Sequence, residues 1–341
     1  MKKKVIAALV SLVLLCVAGV GILIGGGWWY AHRPLDFATP VIEFNLPKGA
    51  GMRQAANVIA AAGLDVDPRL LTWIARATGQ AKAIKAGSYE IQSGITPLQL
   101  IAKLAAGEVA RGEVRLVEGW TFRQFRAALE SNASLENDLK GLSEGEILRR
   151  IGAAETSAEG VFFPDTYLFD KHSGALAVLK RAYEAMQERL ALAWVGRSPD
   201  LPLASPYEAL ILASIVEKET GRSADRGQIA AVFVNRLRVR MRLQTDPTVI
   251  YGLSDTFGGR LRRIHLDTDH PWNTYTRDGL PPTPIAMPGM ESIEAALHPA
   301  DAGGYLYFVA RGDGSSEFSR TLAEHNRAVD RYQRNRGAKG Q

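Results

Sequence analysis

Residues 205–221 read Ser205-Pro206-Tyr207-Glu208-Ala209-Leu210-Ile211-Leu212-Ala213-Ser214-Ile215-Val216-Glu217-Lys218-Glu219-Thr220-Gly221. Ser205 stands where an N-cap belongs, with Pro206 at the first helical position and Glu208 at the third, so the stretch predicts a helix start. Between Ala209 and Val216 only Ser214 is polar. A helix without a solvent face must lie inside a core. It then runs out in Glu217, Lys218 and Glu219, with Gly221 placed as a C′ stop. Carboxyl groups there meet the negative end of the helix dipole. Each also has an apolar floor, Ala213 and Leu210 under Glu217, Ile215 and Leu212 under Glu219. Both influences raise a carboxyl pKa, as a general acid near neutral pH requires. Helical phase does not choose between the two. The competing reading is a plain helix end, salt-bridged to Arg222 or Arg226.

Working outward, the pattern predicts an α+β protein. Downstream, Leu243-Gln244-Thr245-Asp246-Pro247-Thr248-Val249-Ile250-Tyr251-Gly252 gathers amide, hydroxyl and carboxylate groups in what reads as a turn. Asn273-Thr274-Tyr275, followed by Gly279-Leu280-Pro281-Pro282-Thr283-Pro284-Ile285, reads as a stiff loop. Directional hydrogen-bonding groups on stiff loops, with aromatic faces beside them, are what a sugar-binding cleft needs. Upstream, a core helix is predicted over 175–195, with Leu179, Tyr183, Met186 and Leu190 on one stripe. Pro164 and Asp165 mark a turn in an aromatic-rich segment, and 121–146 reads as a loosely packed helical excursion after a strand at 113–118. Residues 41–110 predict a small module in the order strand, helix, helix, strand, with a third helix beginning after Thr96 as N-cap.

The N-terminus carries a different signal. Lys2-Lys3-Lys4 precedes an uncharged run from Val5 to Ile24, then Gly25-Gly26-Gly27, Trp28-Trp29-Tyr30 and Arg33. At ~1.5 Å per residue that run covers a ~30 Å hydrocarbon slab. Lysines on one side and an aromatic belt on the other predict a single-pass anchor with the N-terminus cytoplasmic and the rest outside. A cleaved signal peptide is the rival, but Trp28 and Trp29 stand where small residues would mark a cleavage site. A lipoprotein reading of Cys16 fails on Leu15, where a small residue should precede the lipidated cysteine. The expected organisation is 1–33 stub and anchor, 34–40 linker, 41–110 module, 111–335 catalytic domain and 336–341 tail.

Several chemistries are disfavoured. One cysteine in 341 residues leaves no intrachain disulfide and no multi-Cys metal site. A net charge of +5 is no nucleic-acid footprint. His265-Leu266-Asp267-Thr268-Asp269-His270 matches no zinc or calcium spacing, and His298 and His325 have no Gly-x-Ser-x-Gly partner. No phosphate-binding glycine loop occurs. The expectation is therefore that the protein uses no metal and no organic cofactor.

Five stretches, in order, resemble the YceG-like family: 213–220, Val232-Phe233-Val234-Asn235-Arg236-Leu237, 241–252, Asn273-Thr274-Tyr275 with Gly279-Leu280-Pro281-Pro282, and Tyr305-Leu306-Tyr307-Phe308-Val309. Thr283 departs from the family, where glycine is more usual after the paired prolines. The resemblance implies a LysM-like character for the 41–110 module and a larger mixed α/β catalytic domain. It further implies a lytic transglycosylase at the cytoplasmic (inner) membrane. Such an enzyme cuts nascent peptidoglycan between N-acetylmuramic acid and N-acetylglucosamine, leaves 1,6-anhydro ends, and can terminate strand elongation. The family's catalytic glutamate falls on Glu217, with Gln244, Asp246, Asn273 and Tyr275 expected to hold the sugars or orient the acid. Implied partners are glycan strands, the membrane, and peptidoglycan synthases or division proteins. A hydrolytic muramidase and a non-catalytic peptidoglycan-binding scaffold are the alternatives.

Overall fold

The computed structural model describes residues 2–37, 39–300 and 303–334, so the 336–341 tail lies outside the described residues. The chain forms two units, Met1–Gly112 with Leu168–Ser173, and Glu113–Tyr167 with Gly174–Gln341. A single cut at 110/111 would miss one feature of that division, the return of six later residues to the N-terminal unit.

In the N-terminal unit a helix covers Lys2–His32, and its 24-residue segment Leu9–His32 is long and apolar enough to cross a membrane. The expected order follows: strand Val41–Leu46, helices Met52–Ala61 and Pro68–Ala77, strand Gly87–Gln92, and helix Pro97–Ala106. The strands pair antiparallel with Phe44 opposite Tyr89. Local chemistry sets the helix starts. Asp67 accepts from the Arg69 and Leu70 amides ahead of Pro68, and Thr96 forms a reciprocal capping box with Gln99. One face of each helix closes on Ile59, Leu71, Tyr89, Leu100 and Leu104, all fully buried. Residues read as the start of a linker are part of this core: Leu35 is 1% exposed and exchanges backbone hydrogen bonds with Gly94 and Ile95. Lys171, from the returning segment, pairs with Glu43 and Glu90 across the sheet.

In the second unit the helix Pro206–Glu219 is the centre. Ser205 caps it as predicted, accepting from the Glu208 amide, while the Glu208 carboxylate accepts from Ala204 N at 2.6 Å. Residues Ala209 to Val216 are all buried, packed by the helices Ser223–Arg238, Met290–Leu297 and Ala175–Val195. Each such Leu or Ile contributes roughly 1.5–3 kcal/mol of burial. The one polar residue in the run has a purpose: the Ser214 hydroxyl donates to Ile211 O at 2.7 Å and accepts from Ile285 N at 3.0 Å. It fastens the proline-rich loop to the central helix.

Three local expectations are corrected. The 121–146 region is well packed, with helices Phe122–Glu130 and Glu144–Ile151 and fully buried Phe125, Leu129, Leu139 and Ile147. Its polarity misled because Arg126 lies among these residues as a donor to the carbonyls of Leu139 and Leu142. The 243–252 turn is instead a short irregular entry, with Thr245 extended, followed by the helix Asp246–Leu253, with Pro247 in its first turn. The central helix ends at Glu219 because Thr220 is extended, at φ −148°, rather than through a left-handed glycine at 221.

Candidate active site

Glu217 and Glu219 are two residues apart on one helix, hence about 200° apart around its axis. They face different partners. The Glu217 Oε2 accepts from Ser292 Oγ at 2.7 Å and from Gly289 N at 3.1 Å, which caps the helix Met290–Leu297. Its Oε1 lies 3.6 Å from the Arg226 guanidinium, and the side chain is 8% exposed. Arg226 is shared with Glu291. The carboxylate is thus engaged inside the protein, in the ion pair with Arg226 that the competing reading anticipated.

Glu219 faces the other way, onto a cleft of about 610 Å³ lined also by Gln244, Asp246, Tyr275, Tyr307 and His325. Its Oε1 accepts from the Thr245 hydroxyl, and its Oε2 has no protein partner among the described residues. Burial pushes its pKa up to about 7, with the nearby Asp246 charge acting in the same direction and the Thr245 hydrogen bond and Arg236 against it. The group is deeply set yet still reaches the cleft surface. The surrounding frame is stiff. Thr245 N donates to Thr274 Oγ1 at 3.1 Å, Gln244 N to Thr274 O at 3.1 Å, and the Thr248 and Thr274 hydroxyls lie 2.9 Å apart. Tyr275 donates its phenol to Asp246 at 2.6 Å, and burial together with that carboxylate raises its pKa. Gln244 takes a left-handed backbone, φ 47°, which is unusual for a residue with a Cβ and marks a position held by its surroundings.

Three of the expected residues, Gln244, Asp246 and Tyr275, therefore come together with Glu219, and Glu217 and Asn273 do not join them. Asn273 is fully buried, its amide donating to Leu266 O and Thr268 O at 3.0 and 2.7 Å while its oxygen accepts from Tyr275 N. It shapes the loop that carries Tyr275. Sequence reasoning missed Arg236, Tyr307 and His325. Arg236, 7% exposed, donates to Leu306 O and Leu243 O, both at 2.7 Å, and lies over the Tyr307 ring, which stacks on His325. The signal was present, since Arg236 and Tyr307 both lie in the motifs quoted above, but nothing in the spacing said what an arginine there would hold. In the 265–270 segment, Asp269 pairs with Arg277 and Thr276, which hold its carboxyl down at about 2.

A second buried carboxyl needs separating from the first. Glu159 is 5% exposed and burial raises its pKa to about 7. It borders a neighbouring cleft of about 790 Å³ with Phe122, Tyr251 and Trp272. Unlike Glu219, both its oxygens accept from protein donors, Phe122 N at 3.0 Å and the Tyr251 phenol at 3.2 Å. The folded chain holds this proton more tightly than the unfolded one, so the stability it provides is complete below about pH 4.5 and lost as pH rises through 7. Glu159→Gln is expected to raise stability at pH 8 by on the order of 2 kcal/mol and to leave it little changed at pH 4.5. Unfolding midpoints at the two pH values check this; equal effects at both would refute it.

The model of the YceG-like family matches residues 44–331. The chain belongs to the YceG-like family. Within reach of this YceG-like chain is the endolytic murein transglycosylase of Bacillus subtilis (strain 168), 30% identical over 332 residues and 91% of each protein. The endolytic murein transglycosylase of Streptococcus pneumoniae (strain R6) is 25% identical over 91% of this chain and 63% of its own length. The crystal structure of a yceG-like protein from Listeria monocytogenes superposes with a TM-score of 0.52 at 26% identity, covering 84% of this chain and 98% of that one. The chain thus shares the YceG-like fold.

Proposed function

We propose that this YceG-like chain is an endolytic peptidoglycan lytic transglycosylase, anchored by its N-terminal helix with the catalytic unit outside the cytoplasm, and that Glu219 is its general acid. Family membership and the name of the Bacillus relative support the reaction class. The observation that carries the residue assignment is a carboxyl group with one free oxygen on a cleft, its pKa near 7, beside Gln244, Asp246 and Tyr275. One carboxyl group is enough for this chemistry. Glu219 protonates the glycosidic oxygen between N-acetylmuramic acid and N-acetylglucosamine as the bond to C1 breaks. The C6 hydroxyl of the same muramyl residue attacks C1, its proton passes to the Glu219 carboxylate, and a 1,6-anhydro ring closes without water. Attack within one sugar gains strongly from proximity, so no second carboxylate is needed to activate water, as hydrolysis would demand. Gln244, Asp246 and Tyr275 hold the sugars, and Thr245 orients the acid. The LysM-like character of the 41–110 module, termination of elongating strands at the inner membrane, and contacts with synthases or division proteins belong to the same proposal.

Mass spectrometry of digested glycan strands tests the reaction: anhydromuramyl ends are expected, reducing ends would make it a hydrolase, and no product would leave a binding scaffold. The acid must carry its proton to act. Since its pKa lies above the ordinary carboxyl value, the protonated fraction is nearly complete below pH 6 and falls through pH 7. kcat/KM is expected to drop by about tenfold per pH unit above 7. A flat profile from pH 6 to 9 would remove Glu219 as the acid.

A further inference from the structure

The C-terminal end of the N-terminal helix contacts its module directly. The Tyr30 phenol accepts from Asp67 N at 2.7 Å, and Arg33 pairs with Asp65 at 3.2 Å. Tyr30 itself is 9% exposed. The helix Pro68–Ala77 lies against the last turns of the long helix, so close that a Cβ on Gly27 would stand 3.3 Å from the Trp73 ring. Ile22, Leu23 and Gly26 on one side, with Leu70 and Trp73 on the other, line an apolar cavity of about 440 Å³.

The reading that Leu9–His32 spans a membrane, on which this inference rests, fixes the depth of that cavity. If Val5 to Ile24 fills a ~30 Å hydrocarbon slab, Ile22 and Leu23 lie within it and Trp28 and Trp29 at headgroup level. A cavity walled by Ile22 and Leu23 then opens into lipid. The opposite wall is consistent with that surrounding. Arg69, Leu70, Trp73, Arg76 and Ala77 form an exposed stripe at helical spacing, in which Leu70 is 45% and Trp73 56% exposed, while Leu71 and Ile74 fill the module's core. An apolar pair flanked by arginines is how a helix lies in a bilayer interface, with the guanidinium groups reaching the phosphates.

We infer that the Pro68–Ala77 helix is seated in the membrane itself, Leu70 and Trp73 entering the lipid beside the span and Arg69 and Arg76 meeting anionic headgroups. The module would then act as a foot that fixes the tilt and rotation of the anchor. Spin-label accessibility on the full chain, reconstituted in phosphatidylglycerol and phosphatidylethanolamine vesicles, tests this. A nitroxide on the native Cys16 reports the span. In a Cys16→Ser background, labels on Leu70→Cys, Trp73→Cys and Gln54→Cys report the stripe and an exposed reference on the Met52–Ala61 helix. Labels at 70 and 73 should favour oxygen over a water-soluble nickel chelate by several-fold, as at 16, and the label at 54 should show the reverse. Labels at 70 and 73 behaving like that at 54, with 16 still in lipid, would overturn the inference and leave the anchor intact. Chelate access at 16 would overturn both.

Discussion

Replacing Glu219 by Gln is expected to lower the rate of anhydromuramyl product formation by at least about 10³-fold, because one substitution removes both the acid that protonates the leaving oxygen and the base that accepts the C6 proton. The fold should survive, since the amide keeps the shape and can still accept from the Thr245 hydroxyl. Glu217→Gln is the paired measurement. Its amide oxygen can still accept from Ser292 and Gly289, and Arg226 keeps Glu291 as a partner. A stability loss of about 1–2 kcal/mol is expected there, with turnover within tenfold of the parent. Reversed outcomes would return the acid to Glu217, where the family resemblance alone had put it, and the 610 Å³ cleft would lose its claim to the chemistry.

Arg236→Met should produce the second large effect. The substitution retains most of the stem but leaves the part-buried carbonyl of Leu306 and the buried carbonyl of Leu243 without their donor. Those carbonyls belong to two separate segments, the approach to the strand Tyr307–Ala310 and the entry to the helix Asp246–Leu253. Leaving each carbonyl without its charge-assisted donor costs about 1–3 kcal/mol. Turnover should fall with it, as Leu243, Gln244 and Tyr307 lose their mutual alignment. Chemical unfolding of the purified chain measures the first, and product formation well below the unfolding transition measures the second. Parent-like values for both would show that the two segments are held by something else.

Much of this architecture was readable before any coordinates. The capped starts at Thr96 and Ser205 were legible because capping is local chemistry, complete within four residues. The burial of the central helix was legible because eight consecutive positions left it no polar face. Direction in space was not. Whether Glu217 or Glu219 meets the cleft depends on where the 243–246 segment and the helix Met290–Leu297 dock, and no periodicity within 205–221 carries that information. Asn273 shows the same limit from another side: a buried amide that closes a loop and one that binds sugar are the same residue type. Arg126 shows why 121–146 reads as loosely packed, since a charge that serves as a carbonyl donor in the interior has the composition of a surface.

The six residues of Leu168–Ser173 make the N-terminal unit discontinuous along the chain. Lys171 pairs with Glu43 and Glu90, and its carbonyl accepts from the Ser88 hydroxyl at 2.9 Å. An N-terminal truncation at residue 112 would therefore not release an intact second unit. It would strand a lysine beside an uncovered strand end, and an inactive fragment of that kind would say more about where the scissors fell than about which half does the work.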